Sequence, residues 1–266
     1  MRMRYGARVA TRAESQRLLR VAMARATEGV MPKASIAVAI LTTLGALVFA
    51  IAAGRHGSSS DRVAPLTASL LAWGAGVLLC FAASMRAFDR DREDGWDALV
   101  ARHGATRSSY LFARAIGLAI VTLEIVVPGT LLVGLAATLA SRDAHAAREA
   151  LSGTFAGCVY AIAFSLVVAP IALAALGARG RASGYLYLLS VLVMPALIAP
   201  WTGQLVPDEW SELVSIPGAL DALREALLGS IDGARALRAI VVLVAVTVLA
   251  TLWARAQLHV HKGEPA

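Results

Sequence analysis

The densest collection of ionisable side chains is the segment 86–109 around the run DREDGWDAL, Asp91 to Leu99, where Asp89, Asp91, Glu93, Asp94 and Asp97 stand among Arg86, Arg90, Arg92, Arg102 and Arg107. Closely spaced carboxylates can gather divalent metal ions for phosphoryl transfer, but such chemistry needs a complete metal geometry. No acidic residue occurs between Asp97 and Glu124 to supply it. A P-loop requires a Gly-Lys pair to hold phosphates, whereas the only lysines, Lys33 and Lys262, follow Pro32 and His261. If ATP is used, another chain binds it. An intramembrane serine protease needs a histidine facing its serine at depth, and His56, His103, His145, His259 and His261 all fall outside the long apolar runs. His259 and His261 supply two ligands where a metal site usually takes three or four. Cys80 and Cys158 lie within apolar runs without a partner pattern, so they suggest neither a disulfide framework nor a zinc site.

The elements that position these residues are dictated by the solvent they must live in. Of 266 residues, 58% are hydrophobic and 16% charged, against about 45–50% and about 25% in an ordinary soluble domain. Charge is absent from 34 to 54, 63 to 85, 150 to 178, 182 to 207 and 239 to 254, and Ala115 to Ser141 is interrupted only by Glu124. About 20 helical residues cross a hydrocarbon core of about 30 Å, so the runs predict an all-α membrane protein with six transmembrane helices. They organise the chain as a segment 1–33, a membrane domain 34–256 and a tail 257–266, leaving no room for a soluble catalytic domain. The triplet Ala50-Ile51-Ala52 resembles a signal-peptidase site, but its apolar run and the basic segment before it are too long for a cleaved leader.

The net charge of +7 is accounted for by the flanks of the apolar runs rather than by nucleic acid. With six spans, one side of the membrane holds 18 Lys and Arg and the other seven, namely Arg55, Arg62, Arg142, Arg148, Arg224, Arg235 and Arg238. The positive-inside rule therefore predicts both termini in the cytoplasm. Segment 8 to 26 reads as an N-terminal amphipathic helix with Leu18, Val21, Ala22 and Ala26 on one side, lying along the inner leaflet; the alternative is a solvated basic tail.

Two segments are neither spans nor tight turns. The connection 86–109 contains the acidic run. In the outside segment 207–235, Pro217 opens a short helix with Leu220, Leu223 and Leu227 at helical spacing and Gly229 closes it. Tyr185, Tyr187, Trp201 and Trp210 read as interface anchors, and Gly153 and Gly157 as a small-residue helix contact. Glu124 is the only acid within a span. A charge at mid-membrane costs about 2.5 to 3.5 kcal/mol on insertion scales, so Glu124 either lines a translocation path or packs as a hydrogen-bonded carboxyl between helices.

Two families share parts of this pattern. Asp91, Asp94 and Gly95 resemble the opening of the motif of CDP-alcohol phosphatidyltransferases, in which paired aspartates hold metal over a pyrophosphate. Leu99 stands where that motif has arginine, and its downstream aspartates are missing. The longer stretch Arg90 to Gly117 resembles the cytoplasmic loop of ABC-2-type transporter permeases: Glu93, Asp94, Gly95, Asp97 and Leu99 match its acidic part and Arg107 its turn, while Arg114 replaces the usual lysine and Trp96 the usual threonine. The layout of a basic leading helix, six spans and a proline-containing segment, Ser215 to Gly229, is similar as well.

The resemblance implies a transmembrane permease subunit of an exporter, with no catalytic residue and no cofactor of its own. ATP and Mg would be bound by a cytoplasmic ATP-binding ABC subunit, and the pore completed by a second copy or a related permease. Residues 94–103 would form a coupling helix, with Glu93, Asp94, Gly95, Trp96, Asp97, Leu99, Val100, Arg107 and Arg114 meeting the ATPase. Asp94 or Gly95 can start it, with acids near its positive end and Trp96, Leu99 and Val100 on one side. The alternative is a salt-bridged loop that only connects two spans. The arginine-rich, lysine-poor composition suits a GC-rich bacterium, hence its inner membrane.

Overall fold

The computed structural model describes residues 12–56, 62–96, 106–177, 181–202, 207, 210, 212–229 and 233–260. All regular structure among them is helical: α1 (Arg12–Ala26), α2 (Val30–His56), α3 (Val63–Leu71), α4 (Val77–Ser84), α5 (Ala87–Glu93), α6 (Arg107–Ala140), α7 (Ala144–Leu176), α8 (Arg181–Leu192), α9 (Met194–Thr202), α10 (Ile216–Leu227) and α11 (Gly233–Val260). A π turn, Ala72–Gly76, joins α3 to α4 without ending the helix, so the two form one 22-residue crossing, Val63–Ser84.

Among the described residues five helices are long and apolar enough to cross a membrane: Val30–Gly54, Val63–Ser84, Ser108–Ala140, Ala144–Leu176 and Gly233–Gln257. The apolar run 182–207, expected as a further span, is divided at Val193 into α8 and α9, of 12 and nine residues. Pro195 is the physical reason, since its ring displaces the carbonyl of Val191 and it has no N–H to return to it. The chain nevertheless keeps its helical path, because Val193 N–H reaches the Leu189 carbonyl and Leu197 N–H reaches that of Val193.

Helices α6 and α7 form the centre, with α2 and α3 against α6 and α11 against α7. Lipid tails are as apolar as leucine, so helices in a bilayer associate through close packing at small residues rather than through water exclusion. A Cβ on Gly134 would stand 2.1 Å from the Thr154 hydroxyl, and one on Gly157 2.9 Å from the Thr130 methyl. Both threonine hydroxyls turn back to carbonyls of their own helices, those of Ala150 and Val126, which leaves their methyl groups to pack. Gly153 is buried on the same face of α7. Helix α1 lies across α6 with Ala22 and Ala26 buried and Leu18 and Val21 half-buried, and Gly117 of α6 has no room for a side chain beside Ala22. Replacing Gly134 by valine is expected to lower stability by about 1–3 kcal/mol through overpacking, measured as a lower unfolding temperature in detergent; an unchanged temperature would mean that α6 and α7 do not meet there.

Candidate functional site at the α5 end of the bundle

The acidic run is built onto the ends of the spans rather than suspended between them. Arg86, the one described non-glycine residue with positive φ (54°), turns the chain sharply after Met85. Its N–H binds the Leu176 carbonyl and the N–H of Phe88 binds that of Gly177, both at 3.0 Å, which ties α5 to the last turn of α7. Gly177 must be glycine here, because a Cβ would stand 2.5 Å from the Phe88 ring.

This corner places Asp91 beneath α6. Arg114 Nε donates to Asp91 Oδ2 at 2.8 Å and its Nη2 to Oδ1 at 2.7 Å, a bidentate pair whose side chains are 9% and 4% exposed. The Tyr110 hydroxyl donates to the same carboxylate from one turn earlier on α6. Burial pushes the Asp91 carboxyl above its ordinary value, and the Arg114 guanidinium opposes that shift. Next to it, Arg25 of α1 pairs with Asp94, and Arg86 pairs with Glu93 at 3.4 Å. Trp96 is half-buried and covers a narrow recess lined by Ala22, Arg25, Asp91, Tyr110 and Arg114. Four elements, α1, α5, α6 and the end of α7, therefore meet around one buried ion pair.

The site residues expected from the sequence are thus divided. Asp94 and Gly95 stand between two helical stretches. They close α5, with Gly95 at φ +71° in the left-handed position that favours glycine after a helix end, and its N–H bound to the Arg92 carbonyl. The backbone is helical again at Trp96. Glu93, Asp94 and Trp96 are brought together at the surface of the corner. Arg114 is buried, with Nε and Nη2 of its guanidinium turned inward to Asp91. Asp97, Leu99, Val100 and the remainder of 94–103 lie outside the described residues, as does the side chain of Arg107; its backbone begins α6 beside Thr106, whose hydroxyl caps the helix by accepting from Ser109 N–H.

Asp91 and Asp94 also fail to form an open metal pair, since one carboxylate is held by Arg114 and Tyr110 and the other by Arg25. Among the described residues no group of three or more His, Cys, Asp or Glu could hold a metal ion.

Glu124 lies halfway along the 33-residue crossing Ser108–Ala140. It is exposed on the outer surface of the chain, on a stripe continued by Pro128, Leu131, Leu135 and Leu139. It is therefore not packed between helices of this chain.

A second polar cluster was not singled out in the sequence. The fully buried Tyr160 hydroxyl accepts from Trp73 Nε1 at 2.8 Å and lies 3.4 Å from Ser69 Oγ, and Phe164 meets the Trp73 ring edge-on at 5.3 Å. Arg224, which pairs with Asp221 at 3.2 Å, carries its guanidinium to 6.0 Å from the Tyr160 ring centroid. Burial raises the Asp221 carboxyl and Arg224 opposes it. Helix α10 thus reaches the interior: Ser215 caps it by accepting from Gly218 N–H, Pro217 sits in its first turn, and Leu220 is buried. The available signal was Ala72–Gly76, an AWGAG segment whose small residues tolerate a π turn, a feature often found at functional positions.

These elements define a helical, membrane-embedded protein. No family model matches the chain, and no curated protein matches it.

Removing one partner of the Asp91–Arg114 pair strands a buried charge. Asp91→Leu or Arg114→Met alone is expected to cost about 3–5 kcal/mol, whereas the triple change Asp91→Leu, Tyr110→Phe, Arg114→Met recovers most of it. Denaturation of the four proteins in detergent checks this; additive losses would mean that the pair does not exist.

Proposed function

We propose that the chain is the membrane permease subunit of an ABC-2-type exporter, driven by a separate ATP-binding protein and completed by a second copy or a related permease. The observation that carries this reading is the corner at α5 and Trp96: an exposed acidic surface beside a half-buried aromatic ring, seated on a buried ion pair. A push delivered to Trp96 or Glu93 reaches α6 through Asp91 and Arg114, and α7 through the backbone bonds at Leu176 and Gly177. Packed elements with fixed polar contacts transmit displacement, whereas a solvated loop absorbs it.

Several features support the same reading. Together α8 and α9 provide the length for a sixth crossing, kinked at Pro195, and an even count puts both termini on one side; the charge distribution assigns that side to the cytoplasm of a bacterial inner membrane. Helix α1 would then lie at the inner interface, with its small apolar face on α6. Glu124 on the outer surface calls for a polar neighbour that the described residues of this chain do not supply, which a second copy or a water-filled path between copies would provide. The phosphatidyltransferase reading is disfavoured because Asp91 and Asp94 are occupied by cations of this chain. A non-catalytic membrane scaffold is the remaining reading, and the absence of an ATPase partner would favour it.

Purification of the tagged protein from its native host in mild detergent should bring down a protein carrying a P-loop. Trp96→Ala should weaken that capture roughly tenfold, the scale of losing one buried aromatic anchor. Recovery of the folded chain without any ATP-binding protein would overturn the proposal. In the reconstituted complex, Glu124→Ala should reduce coupled ATPase activity more than Glu124→Gln; full activity in both would remove Glu124 from the path.

A further inference from the structure

Helix α11 leans on α7 and α10 and barely meets α6, so a trough runs between α6 and α11. Its inner part is a cavity of about 350 Å³ walled by residues such as Ala119, Ala163, Leu166, Leu243 and Val244. The two threonines that border it, Thr247 and Thr251, donate their hydroxyls to carbonyls of α11 itself, those of Leu243 and Thr247. The slot therefore offers an occupant dispersion contacts and almost no hydrogen bonds. From Thr251 to Ile240 it follows α11 for roughly 16 Å at 1.5 Å per residue, a length suited to most of an acyl chain.

At the α1 end the slot opens into a second cavity of about 580 Å³, which shares Phe112, Ile116 and Thr251 with the first and ends on Ser108 and Arg255. Arg255 lies near the last turn of α11 and Ser108 in the first turn of α6, which places both where a span leaves the hydrocarbon. Arg255 is exposed, and among the described residues neither it nor the Ser108 side chain has a hydrogen-bond or ion-pair partner. The positive end of the α6 dipole faces the same space.

A single cation and a hydroxyl at the interface, above a long apolar slot entering the membrane, are complementary to an amphiphile with one anionic head. We propose that this trough binds one anionic phospholipid from the leaflet at the α1 end, with its phosphate on Arg255 and Ser108 and an acyl chain between α6 and α11. The inference requires membrane embedding and nothing else of the function proposed above. Its failure would leave the permease reading standing, and loss of the ATPase partner would leave this site standing.

Native mass spectrometry of the whole chain in mild detergent, with equal amounts of phosphatidylglycerol and phosphatidylcholine added, tests it. One phosphatidylglycerol should be retained in preference, by about fivefold, the effect of one arginine near an anionic head. Arg255→Gln should abolish that preference. Ala163→Leu, which narrows the slot from α7, should reduce retention of both lipids; because it carries a risk to folding, Val244→Trp on the exposed side of α11 provides a second obstruction, and thermal unfolding confirms which variant is intact. Equal retention of both lipids by the wild type, a preference that survives Arg255→Gln, or undiminished retention by a folded slot-filling variant would overturn the proposal.

Discussion

The bidentate pair between Asp91 and Arg114 is the constraint around which one end of the molecule is organised. Two charges removed from water are costly unless they meet with good geometry and their remaining valences are filled. Here both carboxylate oxygens receive the guanidinium fork, and Tyr110 adds a third donor. Meeting that requirement fixes where α5 lies under α6, and the backbone bonds to Leu176 and Gly177 fix it to α7 as well. Helix α1 and Trp96 then cover the pair, so that a segment with the composition of a solvated loop becomes part of the folded bundle.

Within the bundle the constraint is steric. Helices in a bilayer gain little from hiding leucines from one another, so the tight contacts occur at Gly134, Gly157 and Gly117, where threonine or alanine enters the space of a missing side chain. Where small residues are not opposed, the helices separate, and the trough between α6 and α11 is the result. The exposed stripe through Glu124 belongs to the same surface logic. Its leucines suit lipid, but its carboxyl does not, a conflict that the proposed second copy or water-filled path would relieve.

The positions of most spans are legible in the sequence because the pressure to exclude charge from hydrocarbon acts on every residue of a span. The short helix after Pro217 is legible for a similarly local reason, since the Ser-Ile-Pro start and the Gly229 end are signals within one segment. What the sequence does not disclose depends on meetings between distant residues. Arg114 reads as a charge at the mouth of a span, available to a partner, and only the fold pairs it with a carboxylate 23 positions earlier. Asp94 and Gly95 read as the start of a helix, and only the fold shows that they also close α5. Tyr160, Trp73 and Arg224 come from three separate elements and share no spacing, and Pro195 inside an apolar run leaves open how far a helix tolerates interruption.

The central claim is that the surface over this buried pair is where an ATP-binding protein delivers its force. Placing a photo-reactive p-benzoylphenylalanine at position 96 and irradiating native membranes tests it most directly. The account predicts a light-dependent adduct with a P-loop protein, identified by mass spectrometry, whose yield changes between ATP and ADP. Adducts confined to lipid, to this chain itself, or to proteins without a nucleotide site would contradict it.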